Sequence, residues 1–173
     1  MLRFNNQIQM KSYFKPFIYL FTNLFICLLL ASCDKNVVME SQQYFVNDKW
    51  DYADAKTFTA EIKDTVQHYN IYISARHGFN FEWRNMWVKI ETTFPDGRQF
   101  EKRVNLVLSE PNGEWHGDVL GDNCDIQIPI QERAYFPKLG KYTFKLSQDM
   151  RVNPLDYMKA IGLRIEIAKE ATL

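Results

Sequence analysis

Cys33 is the residue whose type and position are best suited to chemistry. It follows Leu30, Ala31 and Ser32, and it marks the point where a strongly apolar run gives way to Asp34. A cysteine thiolate is a strong nucleophile, and serine would not replace it efficiently. Small residues on its N-terminal side leave the preceding peptide bond open to a peptidase. The position therefore favours modification of Cys33 over a structural role.

The tetrapeptide Leu30-Ala31-Ser32-Cys33 resembles the bacterial lipobox, in which small residues precede a cysteine that becomes the mature N-terminus. The resemblance implies that a thioether joins diacylglycerol to Cys33, that the chain is cleaved before Cys33, and that the new amine is acylated, with palmitate as the expected chain. Anchoring by two or more acyl chains is stable, since each buried methylene contributes about 0.8 kcal/mol and one chain alone binds only marginally. The alternative is an ordinary thiol that follows a signal sequence.

The first 32 residues have the organisation of a secretory signal peptide. Residues 1–16 carry three basic residues and no acidic one, and residues 17–31 are apolar except at two positions. This apolar run is shorter than the roughly 20 residues that a helix needs to cross a bilayer. A basic start, a short apolar middle and small residues at the end therefore predict a signal peptide over 1–32. A transmembrane helix is the alternative, and the polar residues after Cys33 disfavour it.

Removal of residues 1–32 changes the charge and the cysteine content. The 173-residue chain has 21 basic and 21 acidic residues, and the removed segment holds three of the basic ones, so residues 33–173 carry a net charge of −3. A mildly acidic domain without a basic stripe is poorly suited to binding nucleic acid. Cys27 leaves with the signal and Cys33 is modified, so Cys124 has no partner for an internal disulfide. The domain must therefore be stabilised by its core.

Residues 33–47 are predicted to form the lipidated N-terminus and a tether, with the folded domain over 48–173. The segment from Asp34 to Asn47 is polar with scattered apolar residues. About a dozen extended residues would reach roughly 40 Å from the membrane. A first strand that starts at Tyr44 remains an alternative for the end of this segment.

Beyond Trp50 the dominant sequence period is two, which is typical of strands with one buried and one exposed face. Pro95-Asp96-Gly97 predicts a hairpin turn, since proline presets φ and glycine accepts a positive φ. One helical turn is predicted over 155–159. Together these features predict an all-β fold, a two-sheet antiparallel β-sandwich of jelly-roll-like type with seven or eight strands. The predicted strands cover residues 57–63, 69–76, 86–94, 98–108, 124–130, 141–149 and 161–167.

The mature sequence contains no arrangement of side chains that is typical of catalysis. None of the three histidines has the spacing of a zinc ligand, and there is no Gly-x-Ser-x-Gly motif. Cys124 alternates with isoleucines and is predicted to be a small core residue. Asp118, Asp122 and Asp125 raise the alternative of a calcium site, although ordinary turns use the same residues. We therefore expect no enzymatic activity, no metal and no cofactor other than the lipid on Cys33.

Aromatic residues are concentrated in the stretch HGFNFEWRNMW, residues 77–87. Together with other aromatic residues they could line a platform for sugars or for a partner protein. The alternative is a long loop that folds over the sheet edge with its rings buried, and the sequence favours this alternative. The candidate ligand or partner residues are Phe79, Phe81, Trp83, Trp87 and Trp115.

Several fragments along the chain occur in the order of a known family. They are residues 94–98, 120–122, 136–144, 148–152 with 154–155, and 161–166. In this combination they resemble the gliding-motility lipoprotein GldH family of Bacteroidetes. The resemblance implies a component of the cell envelope, anchored at the outer membrane or on the periplasmic face, that is needed for gliding and is associated with the type IX secretion system. The family has no assigned active site, so only the lipidated cysteine carries over, onto Cys33.

Two hypotheses about function follow. The first is a non-enzymatic envelope lipoprotein that acts through protein contacts in gliding or secretion machinery, with the membrane and other envelope proteins as its partners. The second is a lipid-anchored carbohydrate-binding module, based on the aromatic residues of 77–87. The sequence does not indicate an oligomeric state.

Overall fold

The structure is a computed structural model that describes residues 36–169. The predicted signal peptide, the lipobox and Cys33 lie outside the described residues. Within residues 36–169, none of the helical structure is long and apolar enough to cross a membrane.

Two antiparallel sheets form the body of the protein. The first has five strands in the order β1-β11-β4-β8-β7, and the second has four in the order β3-β9-β5-β6. Strands β2 and β10 form a separate pair. The predicted all-β antiparallel sandwich is confirmed. The strands are β1 (Val37–Tyr44), β2 (Lys49–Trp50), β3 (Lys56–Ile62), β4 (Tyr69–Gly78), β5 (Asn85–Thr93), β6 (Gln99–Val107), β7 (Asp118–Leu120), β8 (Asn123–Ala134), β9 (Gly140–Gln148), β10 (Leu155–Asp156) and β11 (Met158–Ile167), with a 3-10 turn at Val46–Asp48.

The core lies between the two sheets and uses the alternating apolar positions of the sequence. Ile73 of β4 is paired with Leu163 of β11, and both side chains are at most 1% exposed. Leu146 of β9 is fully buried in the same cluster from the other sheet. Burial of each large aliphatic side chain stabilises the fold by about 1.5–3 kcal/mol relative to an exposed one.

The antiparallel strands place their turns at two opposite poles. The N-terminal pole holds the start of β1 together with loops 63–68, 94–98 and 135–139. The distal pole holds loop 79–84 and segment 149–154. Strand β4 has 10 residues, and at about 3.3 Å per residue it separates the two poles by roughly 30 Å.

A chain of edge-to-face aromatic contacts links the two sheets at the N-terminal pole. The ring centroid of Tyr142 lies 4.8 Å from that of Phe136 and 5.4 Å from that of Phe94. Phe136 in turn packs against Tyr69 at 5.2 Å. Tyr69 belongs to β4 and Tyr142 to β9, so the chain of rings crosses from one sheet to the other. Each such pair contributes about 0.5–1.5 kcal/mol beyond its buried area.

The predicted hairpin turn at Pro95-Asp96-Gly97 is confirmed between β5 and β6. The N–H of Gly97 donates to the carbonyl of Phe94 over 2.9 Å, and Gly97 has a φ of 82°. Asp96 forms ion pairs with Lys138 at 2.8 Å and with Arg98 at 2.7 Å. The hydrogen bond from Lys138, followed in strength of effect by that from Arg98, holds the pKa of Asp96 well below its usual range.

Strand β1 corrects the prediction of a tether that reaches residue 47. Val37–Tyr44 pairs with β11 along its length, yet none of its residues is buried. Its backbone hydrogen bonds make it a strand, so the side chains do not need a strict apolar alternation. Only residues 34–36 therefore separate Cys33 from the first strand.

Residues 155–156 and 158–159 belong to strands, which corrects the predicted helical turn. Tyr157 between them is a turn residue with a φ of 63°. Leu155 of β10 pairs with Trp50 of β2, and both side chains are fully buried. The backbone of Leu155 must be extended in order to pair with Trp50, whose indole ring is buried there. Within residues 36–169 the strands number eleven, since β1 and the short β2, β7 and β10 add to the seven that the alternation predicts.

Candidate interaction cleft

A cleft of about 400 Å³ opens at the distal pole, between strands β5 and β6 and the segment that follows β9. It lies on the outer face of the four-stranded sheet, where Trp87 is half-buried opposite exposed Asn105. The cleft is therefore separate from the core. Its lining residues are Trp83, Asn85, Trp87, Arg103 and 149–152.

One wall of the cleft combines an indole with an ion pair. The guanidinium carbon of Arg103 lies 4.3 Å from the ring centroid of Trp87, in a cation–π arrangement. The Nε of Arg103 also forms an ion pair with the carboxylate of Asp149. A second guanidinium nitrogen donates to the Asp149 carbonyl over 3.1 Å. These contacts fix three lining side chains relative to one another.

Segment 149–153 is held against the sheet by the buried side chain of Gln148. Its amide nitrogen donates to the carbonyl of Val152 over 3.2 Å, and its amide oxygen accepts the N–H of Met150 over 3.0 Å. The N–H of Asp149 donates to the carbonyl of Trp87 over 2.8 Å. The segment therefore has a defined shape without any bound partner.

Tyr52 fastens the same segment from the loop after β2. Its hydroxyl donates to the carbonyl of Met150 over 2.6 Å, and its N–H donates to the Oδ1 of Asn153 over 2.8 Å. The Nδ2 of Asn153 donates to the carboxylate of Asp51 over 3.0 Å. Tyr52 and Asn153 are 101 positions apart in the chain, so the fold itself preforms the cleft.

A smaller hollow of about 200 Å³ continues the cleft, and Trp83 and Val152 line both spaces. The hollow is bordered by the carboxylates of Glu82 and Asp156, whereas two arginines line the larger cleft. Asp149 forms an ion pair with Arg103 in the cleft, and Asp156 of the hollow forms one with Lys49. The combined groove thus offers aromatic and apolar surface together with charged side chains of both signs. Such a surface suits a polypeptide segment that carries both apolar and charged side chains.

The five aromatic residues predicted as a ligand or partner surface do not lie on one surface. Trp83 and Trp87 come together in the cleft. Phe81 and Trp115 instead pack against His77, with ring centroids at 5.2 and 4.5 Å. Phe79 is 57% exposed but does not line the cleft.

His77 is a buried core residue in this second aromatic cluster. Its Nδ1 must carry the proton, since it donates to the carbonyl of Gly78 over 3.0 Å. Its Nε2 has no hydrogen-bond partner among the described residues. Burial lowers the pKa of His77 below the ordinary value for histidine. The imidazole is therefore neutral at neutral pH.

Within residues 36–169, no group of three or more His, Cys, Asp and Glu side chains is arranged to hold a metal ion. Of the carboxylates considered for calcium, Asp125 forms an ion pair with Arg76 at 2.6 Å. Cys124 is fully buried, and its burial raises the pKa of the thiol. A buried thiol of this kind is a poor nucleophile.

The sequence model of the family described as GldH lipoprotein matches residues 36–165. The chain belongs to the GldH lipoprotein family. A gliding motility lipoprotein GldH homolog of Christiangramia forsetii is 29% identical over 164 residues, which cover 91% of this chain and 98% of the relative. The gliding motility lipoprotein GldH of Flavobacterium johnsoniae is 25% identical over 150 residues, which cover 83% and 92%. The family places the protein among membrane-associated lipoproteins of the cell envelope that are implicated in gliding motility.

Two solved structures resemble this member of the GldH family only distantly. A carbohydrate-binding module specific for non-crystalline cellulose gives a TM-score of 0.41 at 10% identity and covers 76% of this chain and 74% of its own. The Yersinia pseudotuberculosis-derived mitogen gives a TM-score of 0.34 at 8% identity, with coverages of 78% and 90%. Neither similarity bears on function.

The cleft also contains Arg103 and segment 149–152, which the distribution of aromatic residues in the sequence does not identify. Arg103 is one of several charged residues on β6, and nothing in its neighbours marks it. Residues 148–152 do carry a signal, because they are among the fragments that resemble the GldH family. Their position beside Trp87 depends on the pairing of β5 with β9.

Proposed function

We propose that this GldH family member is a non-enzymatic lipoprotein, anchored through Cys33, that holds another envelope protein of the gliding or type IX secretion machinery in its distal cleft. Apart from the diacylglycerol and acyl chain on Cys33, it needs no cofactor. The observation that carries the proposal is the preformed groove at the pole opposite the start of β1.

The composition of the groove supports a protein partner. Tryptophan, tyrosine, methionine and arginine are enriched in the buried centres of protein interfaces. The groove contains all four types, including Trp83, Met150, Arg151 and Tyr157. Since segment 149–153 is already ordered by hydrogen bonds, binding there would cost little additional conformational entropy.

The non-enzymatic part of the proposal is supported by the residues around the groove. The thiol of Cys124 and the imidazole of His77 are fully buried, and neither lines the groove. The curated relatives are named for gliding motility and not for a reaction. The lipid anchor is supported by the lipobox resemblance and by the lipoprotein names of the same relatives.

Crosslinking in cells that carry a Trp83→Ala variant tests the proposal. We expect the variant to lose a crosslinked envelope partner and to reduce cell spreading, while its level in the membrane stays normal. Phe79→Ala is the matched control, since Phe79 is an exposed aromatic residue of the same loop that lies outside the groove. Equal crosslinking of both variants and the parent would reject the cleft as the partner site.

A glycan is the second candidate ligand for the groove. Trp83 is 38% exposed and Tyr157 is 44% exposed, so both rings are accessible for stacking on a sugar. The Trp87 ring is less suited to this role, because the guanidinium of Arg103 occupies one of its faces. A glycan array with the purified lipoprotein decides between the two ligands: binding that Trp83→Ala abolishes would favour the sugar.

A further inference from the structure

Exposed apolar side chains are present on two loops of the N-terminal pole. Val66 in loop 63–68 is 84% exposed, and Tyr135 and Leu139 in loop 135–139 are 60% and 59% exposed. Beside them opens a groove of about 290 Å³ lined mainly by aromatic side chains, including those of Phe100 and Tyr135. This pole therefore presents accessible apolar side chains from two neighbouring loops and an aromatic groove beside them.

The three loops of this pole are tied to one another and to the sheets. The hydroxyl of Tyr69 donates to the carbonyl of Asp64 over 2.6 Å, and the Tyr69 ring packs on Phe136 in loop 135–139. The Nζ of Lys138 forms an ion pair with Asp96 of the hairpin at 2.8 Å. The apolar side chains are thus presented from a rigid surface.

Three cationic side chains lie on the loops of the same pole. Lys63, Arg98 and Lys138 are all exposed. The Oδ1 of Asp64 accepts the N–H of Val66 over 2.7 Å, while Asp96 is paired with two of the cations. Exposed apolar groups on the same face as lysine and arginine are typical of surfaces that lie in the headgroup region of a bilayer.

The position of the anchor determines which surface faces this pole. Once Cys33 is lipidated, as the proposed function states, residues 34–36 are the only residues between Cys33 and Val37. A fully extended chain spans at most about 3.6 Å per residue, so the start of β1 is held within about 15 Å of the lipid. Loops 63–68 and 135–139 lie at the same end of the sandwich as Val37.

We infer that the N-terminal pole docks directly on the lipid bilayer, with Val66, Tyr135 and Leu139 in the headgroup region and Lys63, Arg98 and Lys138 against lipid phosphates. The occupant of this surface is membrane lipid, and no separate protein is required. Docking orients the domain upright on the membrane. The cleft at Trp83 and Trp87 then points away from the bilayer, roughly 30 Å above it, since β4 spans the distance between the poles.

Site-directed spin labelling of the full lipidated protein tests this inference. Single variants Val66→Cys and Leu139→Cys carry a nitroxide at the N-terminal pole, and Val46→Cys and Leu120→Cys carry one at distal positions that are also exposed. Cys33 is occupied by its thioether, and Cys124 is fully buried, so the unsubstituted protein serves as the blank. The proteins are reconstituted in vesicles of phosphatidylethanolamine with a minority of phosphatidylglycerol and recovered by flotation.

Collision rates of the nitroxide with oxygen and with a water-soluble nickel chelate report what surrounds each label. We expect labels at 66 and 139 to show an oxygen-to-nickel ratio several-fold higher than labels at 46 and 120, since oxygen concentrates in lipid. Ready collision with nickel at all four positions would overturn the inference, because it means that the pole faces water. Low collision rates with both reagents at 66 and 139 would also overturn the inference, because that result means that protein covers the pole. Failure of the protein to float would instead reject the anchor in the proposed function.

Discussion

The guanidinium carbon of Arg103 lies 4.3 Å from the ring centroid of Trp87, although these residues are on different strands and are not directly paired. Trp87 pairs with Asn105, and Arg103 reaches it diagonally. Such diagonal neighbours in an antiparallel sheet are within reach only of long or aromatic side chains. The contact therefore depends on the register of β5 and β6. It places the Trp87 ring and the Arg103 guanidinium together in one wall of the cleft.

Replacement of Arg103 by alanine should remove the contacts that fix the cleft wall and lower the free energy of unfolding only modestly. The variant loses the cation–π contact and the ion pair with Asp149, both at half-exposed side chains. Each contributes up to about 1 kcal/mol at an exposed site, so we expect urea unfolding to show a loss of roughly 1 kcal/mol. Arg103→Lys should recover part of it. Lys102→Ala, on the same strand, is the control, and an equal loss there would mean that the Trp87 contact contributes nothing.

Replacement of Gly162 by alanine should destabilise the five-stranded sheet. A Cβ at this position would lie 2.2 Å from the Oγ of Ser74 and 2.8 Å from the carbonyl oxygen of Ser41. The serine side chain can rotate, but the carbonyl belongs to the backbone of β1, so the strand must shift. Overpacking of this kind costs about 1–3 kcal/mol. The measurement is thermal unfolding of Gly162→Ala with and without Ser74→Gly, which we expect to restore only part of the loss; unchanged stability would contradict the packing at Gly162.

His77 should make the stability of the domain depend on pH below about 6.5. Burial lowers the pKa of the folded imidazole, so the unfolded chain binds the proton more readily. Stability is therefore complete above the unfolded pKa and decreases as the pH falls below it, by up to about 1.4 kcal/mol per pH unit. Asp96, whose folded pKa is lowered, acts in a separate window, at and below the unfolded carboxyl pKa of about 4.

Urea unfolding between pH 7.5 and 5.5 checks the role of His77. We expect His77→Phe to flatten the decrease and His116→Gln, a substitution at a half-exposed histidine, to leave it in place. A decrease that persists unchanged in His77→Phe would assign the effect to another group.

The strands that the sequence predicts are those whose side chains meet the core on one face. Strand β4 alternates buried and half-buried residues along most of its length, so its period of two is visible without knowledge of its neighbours. Strand β1 has no buried residue, because its place at the edge of the sheet depends on backbone pairing with β11. A pattern of side chains cannot reveal that pairing.

The aromatic residues show the same limit at the candidate site. Their concentration in residues 77–87 marks the correct region of the chain. The division between Phe81, which packs on His77, and Trp83, which lines the cleft, depends on the fold of loop 79–84. Arg103 and Asp149 are 46 positions apart, and only strand pairing brings them beside Trp87.

Metabolic labelling with radioactive palmitate determines whether Cys33 carries the lipid that holds the domain at the membrane. We expect the parent protein to be labelled and to sediment with the membrane fraction. Cys33→Ser should be unlabelled and recovered in the soluble envelope fraction, with the same thermal unfolding as the parent domain. An unlabelled, soluble parent protein would show that Cys33 is not lipidated, and a Cys33→Ser variant that keeps both the label and its membrane association would show that the lipid is attached elsewhere.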